Sequence, residues 1–260
     1  MVTKIAFLYF ASMAWGCLVL LPLVKLREVG QGFYRFFGFT CVALDTLAVG
    51  LALFSGPEFE PAYRQAAWAL GASLFFTLCF TIALKVRVRW FLWTCFMGAL
   101  LAGLPAIAYW PWEGQGALGW LAVRTLSSAL LLGSVTLAMM LGHWYLVTPK
   151  LSIAPLKRYS NSYILLTVWM ALLIAGGYWS SKAVQESQGL PLFVREEFIF
   201  ILFRVAWGLL PPLGMAYWIW ETVRTRSTQS ATGILYAAMV CTLMGEAMGL
   251  YLTLRTGLPF

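Results

Sequence analysis

Five ionisable residues lie within long apolar runs of this sequence, where a charge is costly. Asp45, Arg204 and Glu246 lie well inside such runs, and Arg124 and His143 lie nearer their ends. A charged side chain at the centre of a bilayer costs about 2.5–3.5 kcal/mol on insertion scales, so such residues are candidates for functional sites. The chemistry open to them is ion pairing, proton transfer or hydrogen bonding to a polar ligand.

Arg204 and Glu246 are predicted to lie at similar depths. Arg204 is about six residues inside the seventh apolar run, or roughly 9 Å deep, and Glu246 is about eight residues from the end of the eighth, or roughly 12 Å deep. Because an unpaired charge is unfavourable in a low dielectric, we predict that they pair. The pair either locks two helices together or lines a polar pocket, for example for a quinone. Arg124 either joins it or extends to the membrane surface.

Asp45 lies near the middle of the second run, and no cation is predicted at its depth. Protonation, a hydrogen bond to Ser or Thr, and a role in proton transfer all remain open, so Asp45 is the proton-transfer candidate. Ser73, Thr77 and Thr81 recur every four residues in the third run and form one stripe. Packing between helices is the favoured interpretation of that stripe.

His143 is the only histidine, and it lies in the sequence Gly142-His143-Trp144-Tyr145. One histidine cannot supply both axial ligands of a bis-histidine haem. It is therefore a single axial ligand, a hydrogen-bond donor to a quinone, or a residue among interfacial aromatics. The last interpretation is favoured, and haem is a weaker expectation than quinone.

Composition defines the elements that must position these residues. The chain has 260 residues, of which 61% are hydrophobic and 11% charged, and its mean hydropathy is +0.80. A soluble domain carries roughly 25% charged and about 45–50% apolar residues, so a soluble domain and a disordered chain are both excluded. The net charge of +8 comes from basic residues between apolar runs. It indicates membrane topology rather than nucleic-acid binding.

The apolar runs predict an all-α, polytopic membrane helix bundle that forms one integral membrane domain over residues 1–260. Each run approaches or exceeds the roughly 20 residues that cross a bilayer and is about twice the length of a barrel strand. Pro211-Pro212 is predicted to break or kink the seventh helix. Connectors are expected at Gly30 and Gly32, Gly56-Pro57, Pro111, Pro149 and Pro155, and Gly189 with Pro191. The eight predicted spans are Ile5–Val24, Phe36–Phe54, Ala66–Leu84, Trp90–Trp110, Leu118–Val147, Tyr163–Ser181, Phe198–Trp220 and Thr232–Leu254.

Loop charges predict the orientation. Alternate connectors hold eleven Lys and Arg on one side of the membrane and five on the other, where acidic residues cluster. Because basic loops stay in the cytoplasm, both termini are expected on the exterior or periplasmic side. We expect a multi-pass protein of the bacterial inner membrane, with its first run retained as a helix rather than cleaved as a signal peptide.

Motifs for common catalytic chemistry are missing from the sequence. It contains no phosphate-binding glycine loop, HExxH zinc site, GxSxG elbow or CxxC pair. A self-contained hydrolase or ATPase is therefore disfavoured, and we predict neither a catalytic residue nor a metal site. The five cysteines all lie in apolar runs and are expected to be buried and reduced.

Two C-terminal strings carry a family resemblance. Phe203-Arg204-Val205-Ala206 and Met244-Gly245-Glu246-Ala247-Met248-Gly249 resemble the C-terminal end of the dimethyl-sulfoxide-reductase membrane-anchor family, which belongs with the NrfD-like and polysulfide-reductase anchors. That family shows an Arg early in helix 7, a Gly-Glu pair late in helix 8, and eight helices with both termini outside. The resemblance covers about 60 of the 260 residues. It implies a quinone-facing anchor that exchanges electrons with an iron–sulfur or cytochrome subunit. The family's His-Leu-Gly element has no counterpart here, so only Arg204 and Glu246 carry over.

The leading hypothesis is an integral subunit of a respiratory or photosynthetic redox complex. It contacts quinone, with Arg204, Glu246 and Arg124 as pocket candidates, and anchors other membrane and peripheral subunits. One alternative is a small proton-coupled carrier or exporter, with Asp45 and Glu246 as its coupling carboxylates. The other is a purely structural or assembly subunit. The sequence does not identify the complex, the redox partner or the organism.

Overall fold

The computed structural model of the chain describes residues 1–55, 61–86, 89–112, 118–148, 151–188 and 195–258. Within these ranges the secondary structure is helical, with no strand. Short 3₁₀ turns at Leu21–Leu23 and Trp110–Trp112 follow the first and fourth α-helices. The nine α-helices of the described ranges are α1 (Val2–Leu20), α2 (Leu26–Phe54), α3 (Pro61–Val86), α4 (Arg89–Ala108), α5 (Leu118–Val147), α6 (Ala154–Gln188), α7 (Arg195–Gly208), α8 (Leu210–Arg224) and α9 (Thr228–Thr256).

Eight membrane-length spans are present among the described residues. Each is long and apolar enough to cross a bilayer, and each overlaps one of the predicted spans. The seventh consists of α7 and α8 together. The predicted all-α, eight-span architecture is therefore confirmed. Many large apolar side chains point outward, among them Phe54, Trp68 and Trp179, as expected for a surface that faces lipid.

Most helices begin earlier than the predicted spans, and two of them begin nine or ten residues earlier. α2 begins at Leu26 rather than Phe36, and α6 begins at Ala154 rather than Tyr163. Apolar runs define only the part of a helix in hydrocarbon, and the backbone stays helical where basic side chains can reach water. Gly30, with φ of 82°, bends α2 instead of ending it. Pro155 lies in the first turn of α6, where its missing N–H is not needed.

The remaining predicted breakers have three different outcomes. Pro111 lies in the 3₁₀ turn that follows α4, so the prediction of an interruption there is confirmed. Gly32 continues the helix of α2, so the break predicted there is wrong. Gly56-Pro57, Pro149 and Gly189 with Pro191 lie outside the described residues.

The predicted break of the seventh span is confirmed. α7 ends at Gly208 and α8 begins at Leu210, with Leu209 between them at φ −123° and ψ −57°. Pro211 and Pro212 lack backbone N–H groups and clash with the preceding turn, so a continuous helix cannot form through this point.

α5 is the central helix. Of its most apolar 18-residue window, 83% is buried, a larger share than in any other span of the described residues. It packs against α1, α6 and α9. The α1–α5 contact is backbone to backbone, because a Cβ added to Gly16 would lie 1.7 Å from the carbonyl oxygen of Ala129. A Cβ on Gly133 would lie 2.2 Å from the carbonyl carbon of Gly16, so only glycine fits on either side of this crossing.

Candidate functional site

Four polar side chains from three helices form one group in the bundle interior, here called the buried ion cluster. Arg124 and Ser128 come from α5, Arg204 from α7 and Glu246 from α9. Arg204 Nη2 donates to Glu246 Oε1 at 2.5 Å, and Arg124 Nη2 donates to Glu246 Oε2 at 3.4 Å. The Ser128 hydroxyl also donates to Oε2. The guanidinium side chains are 1% exposed and the carboxylate 0% exposed, so the cluster is closed to solvent.

Helix geometry accounts for the α5 contribution. Arg124 and Ser128 are four residues apart, so their side chains lie one above the other on the same face of α5. α9 packs along that face. Glu246 of α9 therefore meets both a cation and a hydroxyl from one neighbouring helix.

Two glycines bring α7 against α9 beside the cluster. A Cβ on Gly208 would lie 2.3 Å from the Cα of Gly245, and the reverse addition gives the same distance. A Cβ on Gly245 would also lie 2.8 Å from Arg204 Nη1. Glycine at both positions therefore permits the close approach that places Arg204 on the carboxylate.

Further hydrogen bonds hold α9 to the helices around it. The Tyr9 hydroxyl of α1 donates to the carbonyl of Leu243 at 3.2 Å. The Tyr163 hydroxyl of α6 lies 2.9 Å from Thr242 Oγ1. α9 is thus fixed from three sides close to Glu246, because α1, α6 and α7 each contact it within a few residues.

The electrostatics of the cluster favour a structural lock. Both oxygens of Glu246 accept hydrogen bonds, and each faces a guanidinium. In a low dielectric such charge-assisted contacts are strong. The carboxylate itself is fully engaged, whereas Arg204 Nε is a buried donor without a hydrogen-bond partner among the described residues, so its desolvation offsets part of the gain. A carboxylate held in this way fixes α5, α7 and α9 relative to one another.

The sequence anticipated part of this cluster. The predicted contact between Arg204 and Glu246 is confirmed, and of the two alternatives for Arg124 the structure selects the one in which it joins them. Ser128 and Gly208 were not anticipated. The available signal was their spacing, since each lies four residues after one of the two arginines, on the same helix face.

Asp45 lies apart from the cluster. It is on α2, its side chain is 1% exposed, and neither carboxylate oxygen has a hydrogen-bond partner among the described residues. One turn earlier on the same face, Cys41 Sγ lies 3.6 Å from the Ala14 carbonyl of α1. Asp45 therefore belongs to the interior between α1 and α2 and makes no hydrogen bond to Ser or Thr there.

The polar stripe on α3 is engaged in packing. Ser73 Oγ donates to the Ala99 carbonyl of α4 at 3.0 Å, and Thr77 and Thr81 donate to carbonyls of their own helix. A Cβ on Gly38 would lie 2.2 Å from Thr81 Oγ1, so α2 and α3 touch at this point. These contacts confirm the helix-packing interpretation of the stripe.

His143 is on the outside of the bundle. It is an exposed residue near the end of α5, and its Nδ1 lies 3.4 Å from the hydroxyl of Tyr236, which is also exposed. This position, next to Trp144 and Tyr145, is the one expected of an interfacial histidine. His143 makes no contact with the cluster.

The cysteines and the potential metal ligands are dispersed. All five cysteines are free. The prediction that they are buried is confirmed for Cys17, Cys41 and Cys95 and is wrong for Cys79 and Cys241, which are partly exposed. In the part of the chain that the structure describes, no three residues of the types His, Cys, Asp and Glu come together as a metal site.

The described residues contain eight apolar spans, an outward apolar surface and a closed interior ion cluster. These features are those of an α-helical multi-pass membrane protein. No protein-family model and no curated protein matches its sequence.

Proposed function

We propose that this protein is an integral subunit of a bacterial inner-membrane redox complex, which contacts quinone and seats iron–sulfur or cytochrome partners. One observation carries the proposal. Arg204 and Glu246, the two residues on which the anchor resemblance depends, form a single buried ion pair. The two short strings that carry the resemblance, whose charged residues are 42 positions apart, are thus joined by one ion pair.

The geometry supports an anchoring role for the cluster more directly than a ligand-binding one. Its side chains are 0–1% exposed, and both carboxylate oxygens are occupied. A rigid junction of α5, α7 and α9 is what a membrane subunit needs in order to present a constant surface to its partners. Quinone contact enters the proposal through the anchor resemblance alone.

Orientation is part of the same proposal. One end of the bundle, here called the basic end, contains the C-terminal ends of α1, α3, α5 and α8 and the N-terminal ends of α2, α4, α6 and α9. With the basic end in the cytoplasm, the termini and the buried ion cluster lie toward the periplasmic half of the membrane.

The test is purification of the tagged chain from its native membrane in a mild detergent. We expect subunits with haem or iron–sulfur absorbance to co-purify, and the assembly to oxidise or reduce a water-soluble quinone analogue. A chain that is stable and monodisperse alone, with neither cofactor-bearing partners nor quinone turnover in the isolated fraction, would overturn the proposal.

A pair of variants separates quinone contact from structural support. Glu246→Gln alters the buried ion cluster, whereas Glu221→Gln removes the exposed contact to Arg224, whose guanidinium lies 3.1 Å away. We expect Glu246→Gln to lower the yield of assembled complex and Glu221→Gln to leave it unchanged. A fall in turnover per assembled complex in Glu246→Gln would assign the cluster to quinone chemistry. Unchanged turnover would assign it to assembly.

A proton-coupled carrier is the second candidate, and Asp45 favours it. This carboxyl group lies in the bundle interior with neither oxygen hydrogen-bonded among the described residues. Intramembrane carboxyl groups without a fixed partner are typical of proton-coupled transport, and the break between α7 and α8 provides a point at which the seventh span can move.

Proteoliposomes test this candidate. A carrier gives proton-linked solute flux that disappears in Asp45→Asn and persists in Glu221→Gln. If purified protein supports no flux for any solute that a pH gradient drives into native vesicles, the carrier function is wrong.

A further inference from the structure

A large cavity opens at the basic end of the bundle, away from the buried ion cluster. It has a volume of about 1110 Å³ and lies between the α1–α2 connector and the facing ends of α2, α3 and α4. Sites for small molecules typically measure about 300–1,000 Å³, so this cavity has room for a sizeable ligand.

The lining of the cavity has a basic rim and an apolar, aromatic wall. Lys25, Arg27 and Arg89 supply three cations at its rim, and all three are exposed. The deeper wall is apolar and aromatic, with side chains such as Phe80 and Phe96. None of the described residues that line it is acidic.

The one acidic residue of the same turn is engaged elsewhere. Glu28 accepts two hydrogen bonds from Arg158 of α6, at 2.6 and 2.9 Å. Glu28 also accepts from the backbone N–H of Lys25 at 2.9 Å. Glu28 is thus paired first with Arg158, and it also lies close enough to Lys25 to attract its ammonium group. Arg27 and Arg89 have no acidic neighbour among the described residues that line the cavity, so the rim keeps a net positive charge.

Gly30 makes this arrangement possible. Its φ of 82° bends the chain between the start of α2, where Lys25 is the N-cap and Arg27 lies in the first turn, and the rest of the helix. A residue with a side chain is strained at this φ. Gly30 itself lines the cavity, so the bend folds the basic turn over the apolar wall.

We propose that this cavity, here called the basic-end groove, binds an anionic phospholipid. The rim cations hold its phosphate, and the apolar wall receives part of an acyl chain. Clustered Lys and Arg beside transmembrane helices attract anionic headgroups with about 1 kcal/mol per residue, which is roughly fivefold in binding constant. A zwitterionic lipid gains little from three cations, and a soluble anion leaves the apolar wall uncovered. This proposal is independent of the redox role proposed above.

Native mass spectrometry of the full chain provides the test. The delipidated protein is titrated with phosphatidylglycerol or phosphatidylcholine of the same acyl composition. We expect the wild type to prefer phosphatidylglycerol by at least about tenfold, because three cations act together. Substitution of the three rim cations by glutamine should reduce that preference to about twofold or less.

A matched variant controls for general loss of charge. Lys157→Gln, Arg224→Gln and Arg226→Gln remove three cations from the α5–α6 and α8–α9 sides of the same end of the bundle. The preference for phosphatidylglycerol should persist in this variant. An equal loss in both triple variants, or no preference in the wild type, would overturn the proposal.

Two further measurements keep the proposal testable if the rim variant folds poorly. Gln31→Trp fills the groove without a change of charge, and it should lower phosphatidylglycerol binding as well. Inorganic phosphate at high concentration should leave the bound lipid in place. Displacement by phosphate at constant ionic strength would assign the groove to a soluble anion and contradict lipid binding.

Discussion

Two Arg–Glu contacts, one in the bundle interior and one at the basic end, have similar lengths and different surroundings. Arg204 lies 2.5 Å from Glu246 inside the bundle, where both side chains are at most 1% exposed. Arg158 lies 2.6 Å from Glu28 at the basic end, where the two side chains are 41% and 25% exposed. Distance alone does not distinguish them, so the medium around each pair decides its contribution to stability.

The physical reason lies in what happens when one partner is removed. At the basic end water solvates the remaining charge, so little is lost. In the interior the remaining charges have no water, and a broken buried pair costs far more than the intact pair contributes. The comparison therefore predicts effects that scale with burial and not with contact length.

The largest effect is expected for Glu246→Gln. Removal of the carboxylate charge leaves Arg124 and Arg204 facing each other without their common partner. The expected loss is about 3–5 kcal/mol in the free energy of unfolding. Unfolding in mixed micelles with increasing SDS measures it, with Glu28→Gln as the control at the exposed pair. Equal losses in the two variants would contradict the comparison.

A smaller loss is expected for Gly133→Ala. The added methyl group meets the backbone of Gly16 at 2.2 Å, so α1 and α5 must separate. Overpacking of this kind costs about 1–3 kcal/mol. Gly71→Ala on α3 is the matched control, because its Cβ would meet nothing within 4 Å. A thermal unfolding midpoint that falls for Gly133→Ala but not for Gly71→Ala agrees with the close crossing.

Ser128→Ala tests the third partner of Glu246. It removes one hydrogen bond to a charged group, while Arg124 still faces the same oxygen. The expected loss is about 1.5 kcal/mol, at the lower end for such bonds. Ser134→Ala, which removes a hydroxyl that donates to the Leu131 carbonyl of its own helix at 2.8 Å, is the control on α5. If the two serine variants unfold at the same SDS fraction, Ser128 does not support the cluster.

The smallest effect is expected for Arg158→Gln. The exposed pair is screened by salt, so its contribution should shrink further as ionic strength rises. The measurement is the difference in unfolding midpoint between variant and wild type at low and high salt. The corresponding difference for Glu246→Gln should not depend on salt. Salt dependence in the buried variant would show that water reaches the ion cluster.

The sequence predicted the elements well, for a simple reason. A segment in hydrocarbon must satisfy its backbone hydrogen bonds internally, so a long apolar run such as Leu118–Val147 indicates a helix by composition alone. The predicted helix starts were wrong where polar residues extend a helix beyond the apolar run, as at Leu26–Arg35. Composition indicates whether a segment lies in lipid or in water, but it does not fix the conformation of the backbone.

The depth argument also succeeded for Arg204 and Glu246. Position along a helix converts directly to depth, and a buried charge needs a partner at its own depth. These two facts are readable from one sequence, so the pairing was predictable. A partner for Asp45 could not be predicted in the same way. In the structure, Asp45 has no hydrogen-bond partner among the described residues.

By itself the sequence determined that this chain belongs in lipid, where its eight spans lie, and how deep along each span its charged residues lie. Only the tertiary structure decided which helices meet, because rotation about each helix axis depends on contacts that no single helix contains. It placed Ser128 beside Arg124 on the carboxylate, set Gly16 against Gly133, and paired Glu28 with Arg158. Depth is a property of one helix, whereas the direction in which a side chain points matters only once a neighbour is in place.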